Sequence, residues 1–108
     1  MIQFYENEVG IDLIFPLTNS SGVALTDTPL AGYPKLFVEG LATSPIILTG
    51  TSIIGTFHHV TTLNEFPILA SEVIHYFECH IEWRSTSGQI ILSDAFTIAV
   101  IKEPSTTL

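Results

Sequence analysis

The chain has 108 residues, of which eleven are acidic and three are basic, so its formal charge is −8 with histidine neutral. Hydrophobic residues make up 46% and charged residues 13%, which is the reverse of the balance found in disordered chains. We therefore expect a single folded domain over residues 1–102 and a polar C-terminal tail at 103–108. A surface this acidic repels phosphate backbones and anionic headgroups, so nucleic acid and acidic membranes are poor partners.

Signals of cellular location are few in this sequence. The lone cysteine, Cys79, has no internal disulfide partner, so stability does not require an oxidising compartment. The first residues contain neither a basic region nor a sustained apolar run, so we expect no signal peptide. The longest apolar run, residues 11–17, is far shorter than the ~20 residues of a membrane helix. We predict a soluble protein made in a cytoplasm.

Prolines and glycines are distributed along the whole chain and divide it into pieces too short for ordinary helices. Between these breaks the composition is rich in Ile, Val, Phe and Thr, which suit a pleated, half-buried surface. These observations predict seven short strands. In chain order they cover residues 2–5, 11–17, 35–39, 45–49, 52–60, 74–83 and 89–101.

Side-chain alternation supports this assignment in two segments. In residues 11–17, Leu13 and Phe15 alternate with Asp12 and Pro16, which is a period of two. Pro16 cannot donate to a sheet, so this strand lies at an edge, or Pro16 lies near its end or at a bulge. Residues 63–73 have the composition of a brief helix, which Pro67 limits to about one turn.

The clearest strand covers residues 74–83, where alternate side chains form an apolar face opposite a face with two glutamates that sees water. Residues 85–88 form a turn in which Gly88 supplies a positive φ, so a hairpin follows. Ser93 and Asp94 mark a bulge or a short break in its second arm. The predicted structural core consists of Phe77, Cys79, Ile81, Trp83, Phe96, Ile98 and Val100.

About seven short strands without long helical stretches between them are typical of an all-β, immunoglobulin-like antiparallel β-sandwich. We find no catalytic, cofactor-binding or metal-binding residues in its sequence. His58 and His59 are adjacent and point to opposite faces of a strand, as do Cys79 and His80, so neither pair closes on one metal. The chain also lacks a Gly-x-Ser-x-Gly elbow and a phosphate-binding glycine loop.

Acidic residues offer two further hypotheses. Glu78 and Glu82 lie about 13 Å apart along one strand face, too far for a glycosidase pair. Residues 6–8, with Asp12 or Asp27 brought near by folding, are the one candidate for calcium. The many aromatic residues form either an ordinary core or, in part, protein contacts, and Tyr33 and Tyr76 are the candidate interface or ligand platform.

A family resemblance appears in the second half of the chain. Residues 77–100 read Phe-x-Cys-x-Ile-Glu-Trp-x-x-x-x-Gly-x-Ile-x-x-Ser-Asp-x-Phe-x-Ile-x-Val, which resembles the end of the immunoglobulin-like domain that opens phage baseplate upper proteins. Residues 11–25 resemble the opening strand, polar glycine turn and apolar return of that domain, and Gly55-Thr-Phe resembles its central strand. The matched positions are core and turn positions, so the resemblance transfers no binding residue.

The resemblance implies a phage virion structural protein without catalytic activity. It would be an adaptor or decoration subunit of the baseplate, tail or capsid, assembled in the host cytoplasm. Its partners would be other virion proteins and copies of itself, as a homo-oligomer or part of a larger assembly. Two alternatives remain open: a carbohydrate- or host-surface-binding module that uses Trp83 or Tyr33 as a stacking platform, and a calcium-stabilised adhesion domain.

Overall fold

The computed structural model describes residues 2–6 and 8–102, and the predicted tail at 103–108 lies outside them. Within the described residues the chain is all-β, with no helix. The strands are β1 (Ile2–Tyr5), β2 (Asp12–Pro16), β3 (Lys35–Val38), β4 (Ile46–Ile47), β5 (Thr49–Gly50), β6 (Thr56–Val60), β7 (Ile74–Arg84), β8 (Ile90–Leu92) and β9 (Phe96–Ile101).

These strands form two sheets that curl into a half-closed shape. The larger sheet has the order β1-β9-β7-β3-β4, and β8 also pairs with β7. The smaller sheet has the order β2-β6-β5. All the pairings are antiparallel except that of β1 with β9, which is parallel. The sequence predicted an antiparallel fold, and this first strand is the exception.

Two predicted strands divide in the structure. The predicted strand at residues 45–49 becomes β4 (Ile46–Ile47) of the larger sheet and, with Gly50 added, β5 (Thr49–Gly50) of the smaller one. The chain therefore crosses between the sheets around Leu48. Residues 89–101 separate into β8 and β9 around Ser93, where a bulge or break was predicted. Ser93 still bonds to β7, because its N–H donates to the Ile81 carbonyl and its hydroxyl accepts the Ile81 N–H.

The predicted alternation of side chains is confirmed in β2 and β7. Leu13 and Phe15 are buried in β2, while Pro16 is exposed as the last residue of an edge strand. In β7, Phe77, Cys79, Ile81 and Trp83 are buried, whereas Tyr76, Glu78 and His80 are exposed. Inward-facing residues of both sheets form one hydrophobic cluster, which contains Leu36, Phe57, Ile98 and Val100 as well.

The brief helix predicted in residues 63–73 is wrong. Asn64 has a φ of 59°, which is the left-handed region and stops a right-handed helix. The segment forms separate turns, in which Glu65 N–H bonds to the Thr62 carbonyl and Glu72 N–H bonds to the Leu69 carbonyl. Phe66, between these turns, is buried against the core with its ring 5.6 Å from that of Phe77.

Candidate functional site

Three histidines form pairs with carboxylates, each at a different place in the fold. His58 Nδ1 lies 2.7 Å from Asp12, and His59 Nε2 lies 2.6 Å from Glu65. His75 Nδ1 lies 2.7 Å from Glu72, whose pKa is held below its usual value by the Leu69 N–H and by His75. The adjacent residues His58 and His59 take different partners, as their opposite directions on a strand predict.

No group of three or more His, Cys, Asp or Glu side chains within residues 2–6 and 8–102 is placed to hold a metal ion. The calcium candidate at residues 6–8 includes Asn7, which lies outside the described residues. Its other members have separate roles: Glu8 accepts the Tyr5 N–H, and Asp12 pairs with His58. Asp27 accepts hydrogen bonds from the Ser87 hydroxyl and the Thr28 N–H, which hold its pKa below the usual value.

Cys79 and the hydroxyl groups of Ser85 and Ser87 are poorly placed for covalent chemistry. Cys79 is 2% exposed, and burial raises its pKa to about 11, so its thiol stays protonated and unreactive. The Ser85 and Ser87 hydroxyls bond to each other, and Ser87 donates to Asp27. No histidine takes part in this group, so the serines order the turn between β7 and β8.

The candidate platform residues lie in different environments. Lys35 Nζ lies 4.5 Å and the Arg84 guanidinium 5.5 Å from the ring centroid of Tyr33. The ring therefore already makes cation–π contacts with two side chains of this chain. Tyr76 is 55% exposed on the outer face of the larger sheet, opposite Ala99 of β9. The stacking role considered for Trp83 is wrong, because only 1% of this residue is exposed.

The other residues singled out from the sequence are distributed between the core and the solvent. Phe96 is half-buried against the cluster, with its ring centroid 5.7 Å from that of Phe15. Glu78 is exposed and accepts a hydrogen bond from Thr97, while Glu82 bonds to Arg84 at 2.8 Å. The two glutamates therefore have separate partners and do not face one another across a cleft.

A groove of about 700 Å³ lies where the two sheets separate. One wall is the segment from the end of β2 to Ser20, and the other is the segment 89–94, which contains β8. Core side chains line the groove between these walls: Leu17, Leu25, Ile81 and Trp83. We name this feature the inter-sheet groove.

Trp83 has an unusual hydrogen-bonding state. Its indole Nε1 is buried and has no hydrogen-bond acceptor among the residues that the structure describes. A buried donor without an acceptor costs about 1–3 kcal/mol, so such groups are rare in native proteins.

Among the lining residues of the groove, Asp94 is the charged one, and the remainder are apolar or neutral.

The sequence did not predict the inter-sheet groove. Its two walls are about 70 residues apart in sequence order, and only the pairing of the strands brings them together. Ser93 was singled out as the site of a break, yet nothing in the sequence links it to Asn19 on the opposite wall.

Scans against protein-family models, curated proteins and solved structures find no match to this chain. Among the described residues there is no helix with the length and apolar character needed to span a membrane.

Proposed function

We propose that the protein is a non-enzymatic structural subunit of a phage virion that acts through protein–protein contacts. It would serve as an adaptor or decoration subunit of the baseplate, tail or capsid, together with copies of itself and other virion proteins. The observation that carries this proposal is the apolar surface. Fifteen large hydrophobic side chains within the described residues are at least 41% exposed.

Some of these side chains form groups, which distinguishes them from the scattered apolar residues of an ordinary surface. Ile14 of β2 and Val60 of β6 are diagonal neighbours on the outer face of the smaller sheet, and they are 55% and 46% exposed. Ile90 and Leu92 of β8 are 56% and 62% exposed at the edge of the larger sheet. Such groups are suited to burial against other proteins.

The order of the strands supports an immunoglobulin-like sandwich. If β2, β3, β5, β6, β7 and β9 are taken as strands B, C, D, E, F and G, the smaller sheet becomes B-E-D and the larger one contains G-F-C. An immunoglobulin sandwich distributes these strands between its two sheets in the same way. This agreement supports the family resemblance, whose matched residues 77–100 extend from β7 to β9.

The charge of the protein fits the same proposal. With a formal charge of −8, it would attract basic surfaces of neighbouring proteins and repel nucleic acid. Repeated copies would make modest individual contacts sufficient, because multivalent attachment multiplies weak affinities. The proposed location is the virion, after assembly in the host cytoplasm.

The test is the size of the full chain in solution, measured by light scattering at low and high protein concentration. Electron microscopy of particles from the source, labelled with an antibody to this protein, then locates it. We expect assemblies larger than the monomer, or labelled particles, or both. A protein that stays monomeric at every concentration and is absent from particles would contradict the proposal.

A second candidate function, glycan or host-surface binding, is favoured by Tyr76. Its ring is 55% exposed on the outer face of the larger sheet, and an exposed aromatic ring offers an apolar face on which a sugar ring can stack. Glycan-array binding that is lost in Tyr76→Ala, with the melting temperature unchanged, would support this function. Tyr5→Ala, at another exposed tyrosine of the same sheet, is the matched control.

A further inference from the structure

Strand β8 lies at a free edge of the larger sheet. It pairs with β7 through Arg84↔Ile90, Trp83↔Ile91 and Glu82↔Leu92, and no described strand pairs with its other side. Ser93 N–H bonds to the Ile81 carbonyl, and Ser85 N–H bonds to the Gln89 carbonyl. Antiparallel ladder bonds alternate, so the N–H and C=O groups of Ile91 face β7 and those of Ile90 and Leu92 face away.

Farther along the larger sheet, strand β1 occupies the position beside β9 that corresponds to the free side of β8. β9 pairs with the same side of β7 as β8 does, and β1 covers the outer side of β9 through Ile2↔Ile98 to Tyr5↔Ile101. Beside β8 the corresponding position is the inter-sheet groove. The larger sheet is therefore one strand narrower at β8 than at β9, and core side chains line the groove there.

The buried indole N–H of Trp83 is an independent observation at the same place. Trp83 is one of the residues that line the groove, and its buried Nε1 has no acceptor among the described residues. A polypeptide strand laid along β8 would bring carbonyl oxygens into the groove. It would also pair with the free N–H and C=O groups of Ile90 and Leu92, which is the mode of recognition known as strand addition.

We propose that the inter-sheet groove binds an extended segment of another protein, which adds to β8 as an extra strand. This inference rests on the proposed function in protein contacts, and it names one contact. Residues 89–94 extend for about 20 Å at ~3.3 Å per residue, so the bound segment has about six residues. Its inward positions are apolar, because they face Leu17, Leu25 and Ile91.

Charge and sequence identify the occupant. The charged residue on the groove wall is Asp94 and the chain as a whole carries −8, so the partner segment is basic at its ends. The chain's own residues 103–108, Glu-Pro-Ser-Thr-Thr-Leu, are a poor match, since they contain an acidic residue and a proline and lack alternating apolar positions. A second copy would offer β8 itself, whose three residues form a short edge.

The test uses the full chain without an N-terminal tag, because residues added before β1 would extend toward β8 in the parallel register. The probe is an acetylated and amidated octapeptide of alternating valine and threonine with a lysine at each end. One control peptide has the same composition with its valines adjacent, and another ends in glutamates. The readout is the indole N–H NMR resonance of Trp83, which is the single tryptophan of the chain.

We expect saturable binding of the alternating peptide, with the Trp83 N–H resonance moving downfield as a carbonyl accepts its hydrogen bond. Both control peptides bind more weakly. Leu92→Pro, which removes an outward N–H, weakens binding by about tenfold or more, since at least one hydrogen bond is lost. Leu92→Thr keeps that N–H and an extended strand, so it retains binding within about threefold.

Four results would overturn this inference. They are no binding, binding that leaves the Trp83 N–H resonance in place, equal binding of the glutamate-ended peptide, or self-association that Leu92→Pro abolishes. A misfolded Leu92→Pro protein does not affect the wild-type readout. If the peptide does not bind while the protein assembles on particles, the inference about the groove is wrong and the proposed function is supported. If the peptide binds but the protein is monomeric and absent from particles, the proposed function is wrong and strand addition at the groove is supported.

Discussion

Substitution of Gly55 by alanine would displace Leu25, one of the core residues that line the inter-sheet groove. Gly55 has a φ of +83°, and its carbonyl accepts the Leu17 N–H at 2.8 Å. A Cβ at Gly55 would lie 2.9 Å from the Leu25 carbonyl oxygen and 3.2 Å from the Ala24 Cβ. Both neighbours belong to the segment that follows β2, so Gly55→Ala would push this segment away from its place.

The expected cost of Gly55→Ala has two parts. A positive φ costs an L residue about 1–2 kcal/mol, and forcing atoms into an occupied space costs about 1–3 kcal/mol more. Gly22→Ala is the matched control, because Gly22 has a φ of +81° and a Cβ added there would meet no atom within 4 Å. Gly22→Ala therefore incurs only the cost of the positive φ. Gly55→Ala is therefore expected to destabilise the protein by about 1–3 kcal/mol more than Gly22→Ala.

The assay is urea denaturation of the wild type and both variants, followed by Trp83 fluorescence and by circular dichroism. The difference between the two variants in free energy of unfolding isolates the close approach of Leu25, since both replace glycine by alanine at nearly the same φ. Equal destabilisation by Gly55→Ala and Gly22→Ala would refute the close packing of this segment on Gly55.

Three further predictions concern the core and the titratable groups. Ile98→Ala, at a fully buried position, costs about 2–5 kcal/mol in urea denaturation, while Ile47→Ala, at a 56% exposed one, costs below about 0.5 kcal/mol; equal costs would contradict the core assignment. The Leu69 N–H holds the pKa of Glu72 below its usual 4.5, so stability from this group is present above that pH and is lost as the pH falls through the folded value. Glu72→Gln should flatten the acid side of a plot of melting temperature against pH, and an unchanged slope would contradict this. Because burial raises the pKa of Cys79 to about 11, iodoacetamide should label it far faster in urea than in buffer, and equal rates would contradict its burial.

Local patterns predicted the strands well where one face is buried. Leu13 and Phe15 alternate with exposed residues in β2, and Cys79 and Trp83 do so in β7, so the sequence alone indicates which side chains enter the core. Pro16 likewise predicted an edge strand, a position near the strand end or a bulge, and the structure shows the first two of these together. These features depend on the two-residue period of a half-buried strand, which can be recognised within a short stretch of sequence.

Features that depend on distant pairings were not predictable in this way. The crossing of the chain around Leu48 and the parallel pairing of β1 with β9 follow from which strands meet in space. The same holds for Trp83: alternation predicts its burial, but whether its N–H finds an acceptor depends on segments far away in the sequence. At Asn64 a local prediction, the brief helix in residues 63–73, was wrong. Asparagine adopts a positive φ more readily than most residues, and this conformation at Asn64 prevents a helical turn.

The central claim is that β8 is a free edge beside the inter-sheet groove, and amide hydrogen exchange of the unbound protein tests it most directly. The N–H of Ile91 faces β7 and should be protected, whereas those of Ile90 and Leu92 face away from β7 and should exchange as rapidly as loop amides. Protection of Leu92 equal to that of Ile91 would contradict the claim, because another segment would then cover this edge.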